Sequence, residues 1–300
     1  MLTKVRKHNI DIDVFIDLVE KLVIPTLLYG SEIWGFCKSN KSEQCQVFLN
    51  NVMRKYLRLT KSTPTCMING ELGLKEINEY IKNRMLNFWL NIATGDENKI
   101  STLLYKWIEK LHNQNIFKSE WLNHIKTSLD NAGFSYLFNE RNLANKNQFK
   151  NLIKLGLKDI YDQKWGELVP NNSICLNYRA MNTQKKLKEY LLNLPSQYKF
   201  ALCKFKCASH KLPIVAGRYA GLEIDDRICT LCDANEIGDE YHYLYQCSYF
   251  NVDRSKYLKR YYYINPNMHK TLQLFNVTDK KEILNLAKFT YQIIEHFKNN

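Results

Sequence analysis

Apolar residues recur at helical spacing along most of the chain. Val14, Leu18 and Leu22, with Phe15, Val19 and Val23 beside them, make a first stripe whose end is expected at Pro25. Phe48, Val52 and Tyr56 beside Leu49, Met53 and Leu57 make a second. Ile77, Ile81, Met85, Phe88 and Ile92 make a third, and Leu103, Leu104, Trp107, Ile108 and Leu111 a fourth. Trp121, Ile125 and Leu129 make a fifth, which Gly133 closes from a position suited to a C-terminal cap. The pattern returns at Leu187, Tyr190, Leu191 and Leu194, then at Phe200, Cys203 and Cys207. It ends in a long amphipathic run from Ile283 through Leu286, Ala287, Thr290, Ile293 and Ile294 to Phe297, with Asp279 and Glu282 placed to cap its start. Strict alternation is scarce. The expected fold is mainly α, a multi-helix bundle-like body with a terminal helix. Short β pieces are expected only near Tyr241–Tyr245, and loops at Asn139–Asn147, Pro170–Asn172 and Asn265–Asn267.

Charge adds a direction. Lysine and arginine number 43 against 30 acidic residues, giving +13, which points to polyanions and most directly to nucleic acid. No uninterrupted apolar run has the length of a membrane span. The basic start is followed by Asp11, Asp13, Asp17 and Glu20, which interrupt what a signal peptide would keep uncharged. An intracellular protein, nuclear or cytoplasmic and not secreted, is expected. Neither a membrane nor a small-molecule substrate is an expected partner. The chain has nine cysteines, an odd number, which fits free and metal-bound thiols better than a disulfide framework.

Four residues stand out. Cys229, Cys232, His242 and Cys247 read C-x2-C-x9-H-x4-C. Cysteines two residues apart can turn both sulfurs toward one ion, and the histidine and last cysteine supply two more corners of a tetrahedron. Three thiolates and an imidazole suit Zn2+ and fill its coordination, so a structural zinc knuckle is expected, not a catalytic one. A span of 19 residues is too short to bury a core of its own. Four unrelated reduced residues, or a Cys229–Cys232 disulfide, are the competing readings. A zinc deaminase would need its histidine ahead of a Pro-Cys-x-x-Cys, an order absent here.

The knuckle itself is acidic. From Glu223 to Cys247 seven acids face Arg227 alone. Its flanks are basic and aromatic. Upstream lie Lys199, Lys204, Lys206, Lys211 and Arg218; downstream lie Arg254, Lys256, Lys259 and Arg260, interleaved with Tyr249, Phe250, Tyr257, Tyr261, Tyr262 and Tyr263. These nine cations are the candidate nucleic-acid contacts, with zinc fixing the geometry and the flanks gripping phosphate and stacking bases. The competing reading is a solvated helix face over core tyrosines. Cys203, Cys207 and His210 are a weaker metal group, more simply read as core. No aromatic-x-Asp-Asp turn of a polymerase, Walker A loop, GxSxG or HExxH motif occurs, and Asp225-Asp226 is an isolated pair read as solvated loop charge.

Several blocks carry a resemblance. They are Val23–Gly35, with Tyr29-Gly30-Ser31-Glu32-Ile33-Trp34 inside it; Ser62–Pro64; Gly70-Glu71-Leu72-Gly73; Leu202–Lys206; His210–Ile214; Gly217-Arg218; Arg227–Cys232; and Ile237–Cys247. In order and spacing the chain resembles the region that follows the palm in reverse transcriptases of invertebrate non-LTR (LINE-type) retrotransposons. The resemblance implies a thumb-like helical region at 1–61, a helical connector at 62–195 and a zinc-knuckle terminal domain at 196–300. It implies that Cys229, Cys232, His242 and Cys247 are the metal ligands and that the last part grips RNA or DNA. Lys206 stands where that family usually has arginine, and Val215 where it usually has glutamate. Within these 300 residues there is neither an endonuclease nor a palm with catalytic aspartates, so polymerase activity is not expected. The resulting expectation is a non-catalytic, RNA- or DNA-binding retroelement fragment. Its alternative is a protein-interaction or scaffolding module with a structural zinc knuckle and no nucleic-acid role.

Overall fold

The computed structural model describes residues 10–36, 41–139 and 145–298. Among these the fold is mainly α, with eighteen α-helices, no strand and two isolated antiparallel bridges. Helix α1 (Ile12–Leu18) runs through a π turn at Val19–Val23 into α2 (Ile24–Leu27), followed by α3 (Ser31–Trp34) and α4 (Lys41–Leu57). Next come α5 (Thr65–Leu72), α6 (Ile77–Ala93), α7 (Ile100–Asn113), α8 (Glu120–Asn131), α9 (Tyr136–Asn139) and α10 (Lys146–Leu168). Short α11 (Tyr178–Met181) and α12 (Glu189–Asn193) lead to α13 (Ser196–Lys206) and α14 (Pro213–Tyr219). Beyond the cysteine segment lie α15 (Asn251–Tyr257), α16 (Arg260–Tyr263), α17 (Met268–Phe275) and the terminal α18 (Lys280–His296). No described helix is long and apolar enough to cross a membrane.

The chain divides into two compact units, each built from separate stretches of sequence: residues up to Ile16, Leu49–Leu74 and Trp165 onward form one, Asp17–Phe48 and Lys75–Lys164 the other. The contiguous divisions expected at 1–61, 62–195 and 196–300 do not coincide with these units. Local periodicity marks helices but carries no record of which distant helices bury each other.

In the second unit α6 is central, packing on α3, α7 and α8 and burying Ile81, Leu86, Trp89 and Leu90. Helix α8 buries Leu122, Ile125 and Leu129, and Trp121 donates to the Glu32 carbonyl at 3.0 Å. Gly133 has φ +78° and follows α8, with Phe134 N–H reaching Leu129 O at 2.8 Å, as the C-terminal cap reading requires. Pro25, by contrast, ends nothing. It falls at the start of α2, and the π turn before it, with Ile24 N–H on Val19 O, carries the helical path through it.

In the first unit α13 packs along α18, which α15 and α17 also contact. Phe200, Leu202 and Phe205 on α13 and Leu286, Phe289 and Ile293 on α18 are buried. Asp279 caps α18 by accepting from the Glu282 N–H at 2.8 Å. The Glu282 carboxylate does not complete the box; it turns to Lys259 instead.

Candidate functional site

The metal-ligand segment begins with a short antiparallel contact between Ile228 and Ile237, where Cys229 N–H donates to Glu236 O and Gly238 N–H to Arg227 O, each at 2.8 Å. Asn235, at φ +55°, turns the chain between them. The expected β piece at Tyr241–Tyr245 is absent. His242–Gln246 instead form a single π turn, opened by Asp239, whose side chain accepts the His242 N–H at 2.8 Å, and closed by Cys247 N–H on His242 O at 2.8 Å. The wide turn brings His242 and Cys247, five residues apart, to the same side.

All four ligand atoms converge within 4.8 Å of one another. Cys232 Sγ is 3.6 Å from Cys229 Sγ and 3.4 Å from His242 Nε2, and Cys229 Sγ is 3.9 Å from Cys247 Sγ. A tetrahedron with metal–sulfur bonds of about 2.3 Å has sulfur–sulfur edges of about 3.8 Å, so these separations fit one shared ion. Cys229, His242 and Cys247 are buried and Cys232 is half-buried. Burial would raise the Cys229 thiol, but the Tyr243 hydroxyl, the N–H groups of Leu231 and Cys232 and the Cys232 thiol set against its sulfur outweigh that and lower it. Burial and the neighbouring thiols push Cys247 up to about 12, the crowding of like groups that a cation relieves. Burial lowers His242, favouring the neutral imidazole a metal needs. The cluster can therefore hold a metal ion.

The segment is held by buried polar groups that sequence patterns did not single out for this task. Arg254 donates to the carbonyls of Leu244 at 2.9 Å, Cys247 at 2.8 Å and Tyr243 at 3.4 Å, satisfying the acceptors at the end of the π turn. His210 Nε2 meets Glu240 Oε1 at 2.9 Å, and Asn177 bridges Glu240 and Asp239 at 2.6 and 3.1 Å. His210 is thus a core residue and no ligand.

A second network lies around Glu71. Its carboxylate pairs with Lys206 at 2.7 Å, both side chains being essentially inaccessible, and accepts the Tyr190 hydroxyl at 2.5 Å. Lys188 donates to Asn182 and Gln184, and burial with nearby Lys206 brings its pKa down to about 8. Gly70 is tied to this place: a Cβ there would fall 2.3 Å from the Tyr178 hydroxyl. Gly73, at φ +67°, ends α5 where its backbone meets residues 186 and 187.

The nine expected nucleic-acid contacts therefore separate. Lys199, Lys206 and Arg254 are buried and are corrected from surface contacts to interior residues. For Lys206 and Arg254 the cause is specific: each has a buried oxygen partner. Lys259 is exposed but paired with Glu282. Lys211, Lys256 and Arg260 are exposed, and Lys204 and Arg218 half-buried. Lys204 is held below its usual pKa by burial, then by Lys298 and Arg58 beside it; Lys211 Nζ reaches the Lys298 carbonyl at 3.3 Å. Arg58 and Lys298, far apart in sequence from Lys204, escaped the pattern reading because only folding gathers them. Tyr249, Tyr219 and Tyr261 are exposed, and Lys270 Nζ stands 4.8 Å from the Tyr261 ring centre. No protein-family model, curated protein or solved structure matches this chain.

Proposed function

We propose that the chain is a non-catalytic nucleic-acid-binding region of the kind that follows the palm in LINE-type reverse transcriptases, with a structural zinc ion at Cys229, Cys232, His242 and Cys247. The donor set and its spacing support zinc: three sulfurs and one nitrogen leave no position for a reacting water. The observation that carries the binding role is the gathering of Arg58, Lys204, Lys211 and Lys298 from three distant stretches of sequence into one basic patch. Glu295 lies among them and pairs with Lys298 at 3.1 Å, so positive charge stays in excess, and an anionic partner would relieve it. Exposed Tyr249, Tyr219 and Tyr261 on the same unit supply faces on which bases stack. The acidic knuckle is then a scaffold, not the gripping surface.

Fluorescence anisotropy of labelled single-stranded RNA and DNA, read against salt, tests this. The expected log–log slope corresponds to several phosphates, and Lys204→Glu with Lys211→Glu reduces it by about 2. A flat slope, or no binding in about 50 mM salt, favours the protein-interaction alternative. Primer extension by the chain is expected to give no product; template-dependent synthesis would overturn the non-catalytic reading.

A further inference from the structure

Helix α7 shows its apolar stripe to solvent. Ile100, Leu103, Leu104 and Trp107 are 75, 53, 52 and 61% exposed, and Ile116 and Phe117, just past the helix, are 69 and 51% exposed. The helix is attached by the other side. Thr102 and Tyr105 are buried there, and the Tyr105 hydroxyl accepts from Trp89 Nε1 at 3.0 Å and donates to Glu109 at 2.8 Å. Four large residues at i, i+3, i+4 and i+7 form a contiguous face of the kind that marks an interaction site.

Charge selects the occupant. At 100° per residue, Lys99, Lys106 and Lys110 fall in one row beside Leu103, and all three are exposed. Near the start of the helix Lys99 lies close enough to Lys146 to act on it, as Lys150 does, so the positive charge continues there. Of the acids described on and just before the helix, Asp96 turns to its own loop, Glu97 pairs with Lys106 and Glu109 is occupied by Tyr105. A second copy answers this poorly. Packed antiparallel, the two lysine rows coincide; packed parallel, each row meets the flank of Ser101, Ile108 and His112, which holds no acid.

We propose that this face of α7 receives an acidic amphipathic helix from a partner protein. Its apolar side chains cover Ile100, Leu103, Leu104 and Trp107, and glutamates or aspartates along one edge meet Lys99, Lys106 and Lys110. The inference is independent of the metal and nucleic-acid reading.

The test uses the whole 300-residue chain and a labelled helical peptide of about 18 residues with leucines at i, i+3, i+4 and i+7 and glutamates on one flank. A control peptide carries lysine for every glutamate. Anisotropy is expected to give micromolar binding of the acidic peptide and binding at least about tenfold weaker for the control. Leu104→Glu with Trp107→Glu, both already exposed, abolishes binding without lowering the thermal midpoint. Lys106→Glu with Lys110→Glu moves the preference to the basic peptide. Equal binding of both peptides, or none, overturns the proposal. So does sedimentation showing a dimer that Trp107→Glu dissolves, which assigns the face to a second copy, or flotation with phosphatidylserine vesicles lost in that variant, which assigns it to a membrane surface.

Discussion

Residues 229–247 and the helix at Ile100–Asn113 are both too small to bury their own apolar and polar surface, and they meet that lack in opposite ways. The cysteine segment turns inward: four ligands converge, Arg254 closes the free carbonyls, and Asp239, Glu240, His210 and Asn177 form one bonded set behind it. The helix turns outward, anchoring through Thr102 and Tyr105 and leaving Leu103, Leu104 and Trp107 in water. A segment rich in polar ligands specifies its own partners by chemistry and distance. An apolar stripe specifies only that something apolar should cover it.

That contrast can be broken at its strong end first. If zinc occupies the four-ligand site as proposed, removing it with a chelator, or Cys229→Ser, should release a stabilisation on the order of 10 kcal/mol in the knuckle. Amide exchange is expected to accelerate across residues 227–247 while Ile77–Ala93 stays protected, and elemental analysis should fall from one zinc per chain to none. A chain purified under reducing conditions without zinc would refute the assignment.

Next in size is the buried pair of Glu71 and Lys206. Lys206→Met leaves an inaccessible carboxylate without its cation and is expected to cost about 3–5 kcal/mol in urea unfolding. Adding Glu71→Gln should restore part of that loss, because the amide keeps a partner for Tyr190. A single variant as stable as the parent would mean the pair does not form.

Arg254→Ala is expected to cost about 3 kcal/mol by stranding carbonyls of the π turn, and to weaken metal retention, with the salt slope for RNA unchanged. Lys256→Ala should do the reverse, lowering the slope by about 1 at constant stability. If Arg254→Ala lowers the slope while the knuckle stays ordered, the arginine is a phosphate contact after all. The smallest change is Asp279→Ala, which removes the cap of α18 and should lower stability by about 1 kcal/mol in thermal unfolding.

The metal cluster was the most legible part of the chain, since ligand type and spacing are both local. The blocks that carry the family resemblance were legible as words but not as contacts. Glu71 of one block meets Lys206 of another, and His210 of a third meets Glu240 of a fourth. A cation in the sequence announces charge without saying whether an oxygen waits for it inside, so Lys206 and Arg254 passed for surface residues.

Helical periodicity, the caps at Gly133 and Asp279, and the four-ligand spacing were determined by sequence alone, because each depends on residues within a turn or two of one another. Which cations are buried, which basic residues gather at Lys204, and whether the stripe of α7 is covered were decided only by tertiary structure. These depend on partners tens to hundreds of residues away, and burial is a property of what closes over a side chain, not of the side chain itself.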